Sequence, residues 1–350
     1  MAKRSSKQRS VEVDTTRAVD EALRRHDLLS LRRVAAVRGL VSSSLRTRVW
    51  PVLLGVDVSR VLWDLSALGQ HPDEHVVAVD VERSLWCTAD EQQRSVQRAA
   101  LLRVLNGVVG KHSADGVHYW QGLHQIAAVL LLTTGSEALS ASLLEKMLLF
   151  PLRSCAARDL SPVLNLLELV FPLLAACDAE LERFLRGSGL MPHFALSWLL
   201  TWHAHTTDVQ GAARLFDLFM SSSPLLPLYV GVVALAEQRD KLLVMPCDAP
   251  ELHAHLSHLD VLTCLPAQEL VAKSLALHRR LPPLALCKQS DVTLPEDSAV
   301  LAWPYPWLAD CTPPLGQSAP PRRRPPLRQA LAAALFALVA SGATRLMAAR

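Results

Sequence analysis

From Asp14 to Leu281 the apolar residues of this chain recur every three to four positions, and almost nowhere do they alternate with polar ones. A period of 3.6 lays an apolar stripe along one side of a helix, whereas a period of two would line one face of a strand. Most of the 350 residues are therefore confined to helix packed on helix, an all-α fold. Half of the residues are hydrophobic and only 20% are charged, which suits a large buried core and excludes a mostly disordered chain.

Local signals punctuate the helical runs. A leading run reaches from Ala18 to Leu31. Thr88-x-x-Glu91 reads as a capping box, followed by Val96, Leu101, Leu102, Leu105 and Val109 on one side of a helix. Ser161-Pro162 reads as the start of a helix to about Leu174, with Pro172 as a kink or early stop. Gly187 and Gly189 mark another stop. Further helices are expected over 194–205, 211–220, 225–236, 251–259 and 269–281. The texture changes after that, because 11 of the 22 prolines lie between Pro282 and Pro326. Such a density forbids regular helix, so the reading is a leading segment at 1–27, a helical domain at 28–281 and a linker at 282–326.

Residues 327–350 carry a terminal apolar run behind Arg322, Arg323, Arg324 and Arg328. Its uncharged window, Gln329–Thr344, has 16 residues. At about 1.5 Å each these span roughly 24 Å, against about 30 Å for a hydrocarbon core. Flanking arginines that snorkel and a thin membrane offset the shortfall. A helix packed on the domain and a tail anchor both fit these residues.

Charge and cysteines narrow the function classes. Thirty-six basic against 33 acidic residues leave a net charge of +3, too little for a general nucleic-acid binder. The seven cysteines are scattered without a CxxC pair, so neither a disulfide framework nor a zinc site is indicated. The N-terminus has no apolar signal-peptide core, and a cytosol-facing chain is expected. His203-Ala-His205 and His253-x-His255-x-x-His258 lack matching carboxylate or cysteine spacing, so no metal is expected there. Gly110-Lys111-His112-Ser113 lacks the glycine spacing of a phosphate loop and reads as a helix end.

Three short segments remain. Arg46-x-Arg48-Val49-Trp50-Pro51-x-Leu53-Leu54-Gly55 reads as a helix with a buried tryptophan, closed by glycine. Asp80 and Arg83 stand three apart, the spacing at which a carboxylate on a helical turn holds a guanidinium. Tyr119-Trp120-Gln121-Gly122 opens a strongly apolar helix and leaves the glutamine exposed at its mouth. Each alone has an ordinary structural explanation.

In this order, the three segments resemble the TBC-domain GTPase-activating proteins of Rab GTPases. That family's signature is an R-x-x-V-W-x-x-L-L-G-like helix, then I-x-x-D-x-x-R, then Y-x-Q-G. The counterparts here are Arg46–Gly55, Val77-x-x-Asp80-x-x-Arg83 and Tyr119-x-Gln121-Gly122, preceded by Arg38-Gly39-Leu40. The likeness covers roughly residues 28–240. Asp80-Val-Glu-Arg83-Ser-Leu85, Phe194–Trp202 and Arg214–Phe219 are similar to runs in the family's tail-anchored member of the endoplasmic reticulum. Gln125 departs from the family, which usually has aspartate there, and the change is expected to affect hydrogen bonding around the glutamine turn.

The resemblance implies a GTPase activator with no independent reaction of its own. Arg83 would stabilise charge on the transferred phosphoryl group and Gln121 would orient the attacking water. Asp80, Tyr119, Gly122, Arg48 and Trp50 would support them, with Arg48 near the site. An arginine supplied in trans is worth about 10³–10⁵ in rate. GTP and magnesium would belong to the partner, a Rab in its GTP form. The resemblance also favours the membrane anchor and a place in endoplasmic reticulum–Golgi trafficking. A TBC-like scaffold that binds without accelerating hydrolysis is the alternative.

Overall fold

Free backbone donors at a helix start need an acceptor, and a left-handed residue is the commonest way to end a helix; both devices recur here. The structure, a computed structural model, describes residues 6–60, 63–65, 71–85 and 87–305. The chain runs through α1 (Ser6–Arg24), α2 (Leu28–Arg33), a π-helical turn at Val34–Arg38, α3 (Ser43–Leu54), α4 (Glu74–Glu82), α5 (Glu91–His112), α6 (Leu123–Thr134) and α7 (Glu137–Leu149). It continues with α8 (Ser161–Leu167), α9 (Val170–Ala175), α10 (Ala179–Gly187), α11 (Leu196–Leu200), α12 (Val209–Phe219) and α13 (Leu226–Ala236). The short α14 (Arg239–Leu242), α15 (Ala249–Ser257), α16 (Val261–Cys264), α17 (Ala267–Arg280) and α18 (Pro283–Gln289) complete it. Among the described residues there is no strand, as the periodicity requires.

Ser42 caps α3 by accepting the N–H of Leu45, and Gly55 closes it at φ +65°. Other boundaries differ from expectation for identifiable reasons. The cap of α5 is Asp90, which accepts the N–H of Gln93 at 2.6 Å, while the Thr88 hydroxyl donates to Gln97. The run from Ser161 to Leu174 is two helices broken at 168–169. Pro172 stands four residues after Glu168, whose carbonyl its ring would strike in a continuous helix. The helix expected over 194–205 stops at Leu200, and Trp202 and His203 take positive φ. Burial of both rings overrides the helical pattern there.

A domain boundary at 282 does not describe the chain either. Pro282 and Pro283 open α18, a position where proline's missing N–H costs nothing. Beyond it Ala299, Val300 and Tyr305 are buried, and Tyr305 lies against Phe150 with ring centroids 5.3 Å apart. The rest of the proline-rich segment and the apolar tail at 327–350 lie outside the described residues. Among the described residues no helix is long and apolar enough to cross a membrane.

The core is aromatic where α3, α11, α12 and α13 meet. Trp50, Trp198, Trp202, Phe194, Phe216, Phe219 and Tyr229 are all fully buried. Trp202 sets its edge on Phe216 at 5.5 Å, and Trp198 stacks on His203 at 5.8 Å. A glycine is required beneath that stack, since a Cβ on Gly231 would lie 2.2 Å from the Trp198 ring.

His203 donates Nε2–H to the carbonyl of Pro227 at 3.0 Å, and burial pushes its pKa down to about 3. An unfolded histidine titrates near 6.5, so below that pH the unfolded chain takes up a proton that the folded one refuses. Stability is expected to fall as pH drops from 6.5 towards 3, by up to about 1.4 kcal/mol per pH unit from this residue. His278, pushed down to about 4 by burial, acts in the same direction. Urea midpoints measured from pH 7 to pH 4 check this, and His203→Phe should flatten the slope.

Candidate functional site

The site is built on the end of α4 and the turn that enters α6. Asp80 lies in the last turn of α4, on its buried face with Val77 and Val81. Arg83 is the first residue past the helix, with its side chain 63% exposed against 3% for Asp80. Its Nη2 donates to Asp80 Oδ1 at 2.7 Å. The pair is therefore neither a solvated surface pair nor a buried one. A carboxylate anchored in the interior holds one corner of a guanidinium whose remaining donors face outward. Arg98 fixes the chain just beyond, donating from Nε and Nη2 to the carbonyl of Ser84 at 3.1 and 2.9 Å.

Asp80 would be costly to bury without further donors. The hydroxyl of Tyr119 donates to Asp80 Oδ2 at 2.8 Å, and Nδ1 of His124 lies 3.3 Å from the same oxygen. Burial, reinforced by the bond to Asp80, pushes the Tyr119 phenol well above its ordinary pKa. Burial pushes His124 down, the Asp80 charge opposing and the Arg83 charge assisting.

A second tie joins the two segments. Asp73, at the N-cap of α4, accepts the backbone N–H of Tyr119 at 3.0 Å instead of capping its own helix. Tyr119 is thus held to α4 at both ends, at its backbone by Asp73 and at its phenol by Asp80, two turns further on.

Gln121 is exposed two residues beyond, and among the described residues nothing engages its side-chain amide. Its neighbours are fixed against the end of α11. Trp120 Nε1 donates to the carbonyl of Leu200 at 2.9 Å. Gly122 sits at φ +115°, where a Cβ would come within 2.9 Å of the Thr201 methyl. Helix α6 begins only after this glycine, so Tyr119, Trp120 and Gln121 form a turn and not the first helical residues. Gly122→Ala is expected to cost about 1–3 kcal/mol through backbone strain and that contact, read from a urea midpoint. Gln125 carries a buried amide oxygen with no hydrogen-bond partner among the described residues, next to the turn.

The first motif lies elsewhere. Trp50 is fully buried and donates Nε1–H to Asp217 Oδ1 at 2.8 Å. Arg46 is buried with it and donates from Nε and Nη2 to the same carboxylate at 3.1 Å. Leu40 adds its N–H at 2.8 Å. Burial pushes Asp217 upward and the Arg46 charge opposes it. Arg48, expected near the site, instead pairs with Asp20 of α1 at 2.8 Å, and both side chains are nearly half exposed. Nothing joins Arg48 to Asp80 or Tyr119. Gly39 lets Arg214 pass, since a Cβ there would lie 2.5 Å from its Cδ; Arg214 donates to the carbonyls of Ala36 and Val37.

Asp80, Arg83 and Tyr119 are thus brought together, with Gln121 and Gly122 on the same turn, while Arg48 and Trp50 belong to another part of the fold. Asp73, His124 and Asp217 escape a reading of the sequence. Two carried a signal: Asp73 and Asp80 share a helix face at i and i+7, and Asp217 interrupts the apolar face of α12. Among the described residues no group of three His, Cys, Asp or Glu is arranged to hold a metal.

A model of the Rab-GTPase-TBC domain family matches residues 43–243, from the start of α3 to just past α14. The chain belongs to that family. Mouse (Mus musculus) TBC1 domain family member 20 is 31% identical over 277 residues, covering 75% of this chain and 66% of that protein. The GTPase-activating protein gyp10 of Schizosaccharomyces pombe is 33% identical over 229 residues, covering 63% of this chain and 61% of its own. The chain thus spans about two thirds or less of the length of these relatives. Among solved structures, the Ypt/Rab-GAP domain of Gyp1p superposes with a TM-score of 0.60 at 17% identity, covering 73% of this chain and 93% of that one. The Chlamydomonas flagellar RabGAP TBC domain gives 0.57 at 16%, covering 78% and 97%. At these identities the likeness establishes the TBC fold.

Proposed function

We propose that this TBC-domain chain accelerates GTP hydrolysis by a Rab-family GTPase, supplying Arg83 and Gln121 in trans. The reading rests on one observation above the others: an exposed guanidinium held by a carboxylate that is itself buried and tied to the turn carrying Gln121. Phosphoryl transfer to water spreads negative charge over the γ-phosphoryl oxygens, and catalysis is mainly positioning and electrostatic stabilisation. A guanidinium fixed before the GTPase arrives needs little reorganisation to meet that charge. Gln121, free at its amide and fixed at its backbone, orients the attacking water in place of the GTPase's own glutamine. GTP and magnesium come with the partner, and the chain runs no reaction alone.

Gln121→Ala is expected to reduce stimulated hydrolysis by about 10²–10³-fold, in the range of a lost polar transition-state contact. A Rab whose own catalytic glutamine is replaced by leucine should still be stimulated by the wild-type chain and not by Gln121→Ala. Equal loss of stimulation with wild type on that Rab would remove Gln121 from the mechanism.

The same proposal places the activity at endoplasmic reticulum–Golgi membranes, with residues 327–350 as the anchor. The support is the basic run ahead of a terminal apolar window. Alkaline-carbonate extraction of membranes tests it: the full chain should stay with the pellet and a chain ending at Pro321 should be released. Release of both would exclude an integral anchor.

A further inference from the structure

The hydrogen bonds around Asp80 define a proton arrangement that involves a residue outside the family motif. Oδ1 of Asp80 faces Arg83, while Oδ2 accepts the Tyr119 hydroxyl at 2.8 Å and lies 3.3 Å from His124 Nδ1. Tyr119 oxygen and His124 Nδ1 are themselves 3.1 Å apart. A phenol has a single proton, and a neutral imidazole carries its proton on one nitrogen only. If Nδ1 were bare, its lone pair would face a buried carboxylate oxygen. Tyr119 would then have to choose which of two acceptors to satisfy. If Nδ1 carries the proton, it donates to the Tyr119 oxygen, and the Tyr119 hydroxyl is left to donate to Oδ2. Only the second arrangement leaves no repulsion in a site where the carboxylate is 3% exposed.

We propose that His124 is a positioning residue for Arg83, acting as an Nδ1–H donor to the Tyr119 oxygen that directs the phenolic proton onto Oδ2 of Asp80 and so turns Oδ1 toward the guanidinium. His124 itself is shielded, with its side chain 12% exposed, so it acts through Tyr119 and Asp80 and not by touching the GTPase. Its ring is neutral at neutral pH because burial disfavours the imidazolium. Without His124 the Tyr119 hydroxyl is free to turn away from Oδ2, the carboxylate gains freedom to swing about its Cβ–Cγ bond, and the Arg83 head swings with it. Misplacement on the scale of 1 Å is enough for about a 10²-fold loss in rate.

The inference rests on the proposed activity, and two experiments keep the two separable. His124→Phe keeps the ring volume without the donor. It should lower the maximal rate of stimulated hydrolysis about 10- to 100-fold while the GTPase concentration for half-maximal rate stays unchanged. His124→Asn presents an amide N–H near the position of Nδ1–H and should restore the rate to within about threefold of wild type. A purely volume-filling role predicts the reverse order. An unchanged rate in a folded His124→Phe, or no recovery in a folded His124→Asn, would overturn the proposal. Independently of any GTPase, ¹⁵N NMR of histidine-labelled protein at pH 7.5 should find the His124 proton on Nδ1. A proton on Nε2 overturns the proposal whether or not a Rab is stimulated. Nδ1–H without stimulation of any Rab by wild type would instead count against the activity and leave the donor geometry standing.

Discussion

Arg83→Ala is expected to lower stimulated GTP hydrolysis by about 10³–10⁵-fold while the protein stays folded. Both halves of that expectation come from the same geometry. The guanidinium is 63% exposed and among the described residues bonds to Asp80, so its removal leaves almost no cavity. Asp80 is not stranded, because the Tyr119 hydroxyl still donates to Oδ2. The urea midpoint should therefore correspond to a change within about 1 kcal/mol, as for other half-exposed pairs. Arg83→Lys keeps the charge and should recover little of the rate. An ammonium has no planar fork, and it cannot hold Asp80 with one corner while offering parallel donors to phosphoryl oxygens. Single-turnover phosphate release beside an unfolding curve decides both points.

Asp217→Ala is expected to act in the opposite sense, on the fold and not on the chemistry. Asp217 is completely buried and accepts from Arg46, from Trp50 and from the backbone of Leu40. Removing it leaves a buried guanidinium without a counter-ion and two further donors without an acceptor. Breaking a buried pair in this way costs about 3–5 kcal/mol, a large part of the 5–15 kcal/mol that holds a typical domain together. Arg48→Ala is the internal comparison. It lies two residues from Arg46 in the same motif, yet its pairing with Asp20 is about half exposed and should be worth under about 1 kcal/mol. Urea midpoints for the two variants should therefore differ widely although the residues are neighbours.

The contrast between Arg46 and Arg48 marks how far the chain could be read without its fold. Their spacing says that they point to different sides of α3, but not which side faces the core. That is set by Asp217, which lies 171 residues away from Arg46. The Asp80–Arg83 pair was legible because the partners stand three residues apart at the end of one helix. The burial of Asp80 was not, since it depends on Tyr119 and His124 arriving from another element. At 201–203 the pattern suggested continued helix, and packing of Trp202 against Phe216 and Phe219 decided otherwise. Prolines 282 and 283 look the same in a linker as in the first turn of α18. Only the burial of Leu286 and Cys287 separates the two. Motif chemistry is local and shows in sequence, whereas the residues that hold it in place are tertiary partners.

The central claim is that the exposed arginine at the end of α4 works on a Rab-bound nucleotide. Single-turnover phosphate release from a panel of GTP-loaded Rab GTPases, each mixed with the full wild-type chain, tests it most directly. At least one Rab should hydrolyse its GTP about 10³-fold or more above its intrinsic rate. A correctly folded chain that binds one or more of these Rabs and accelerates none would contradict the account and favour a binding scaffold.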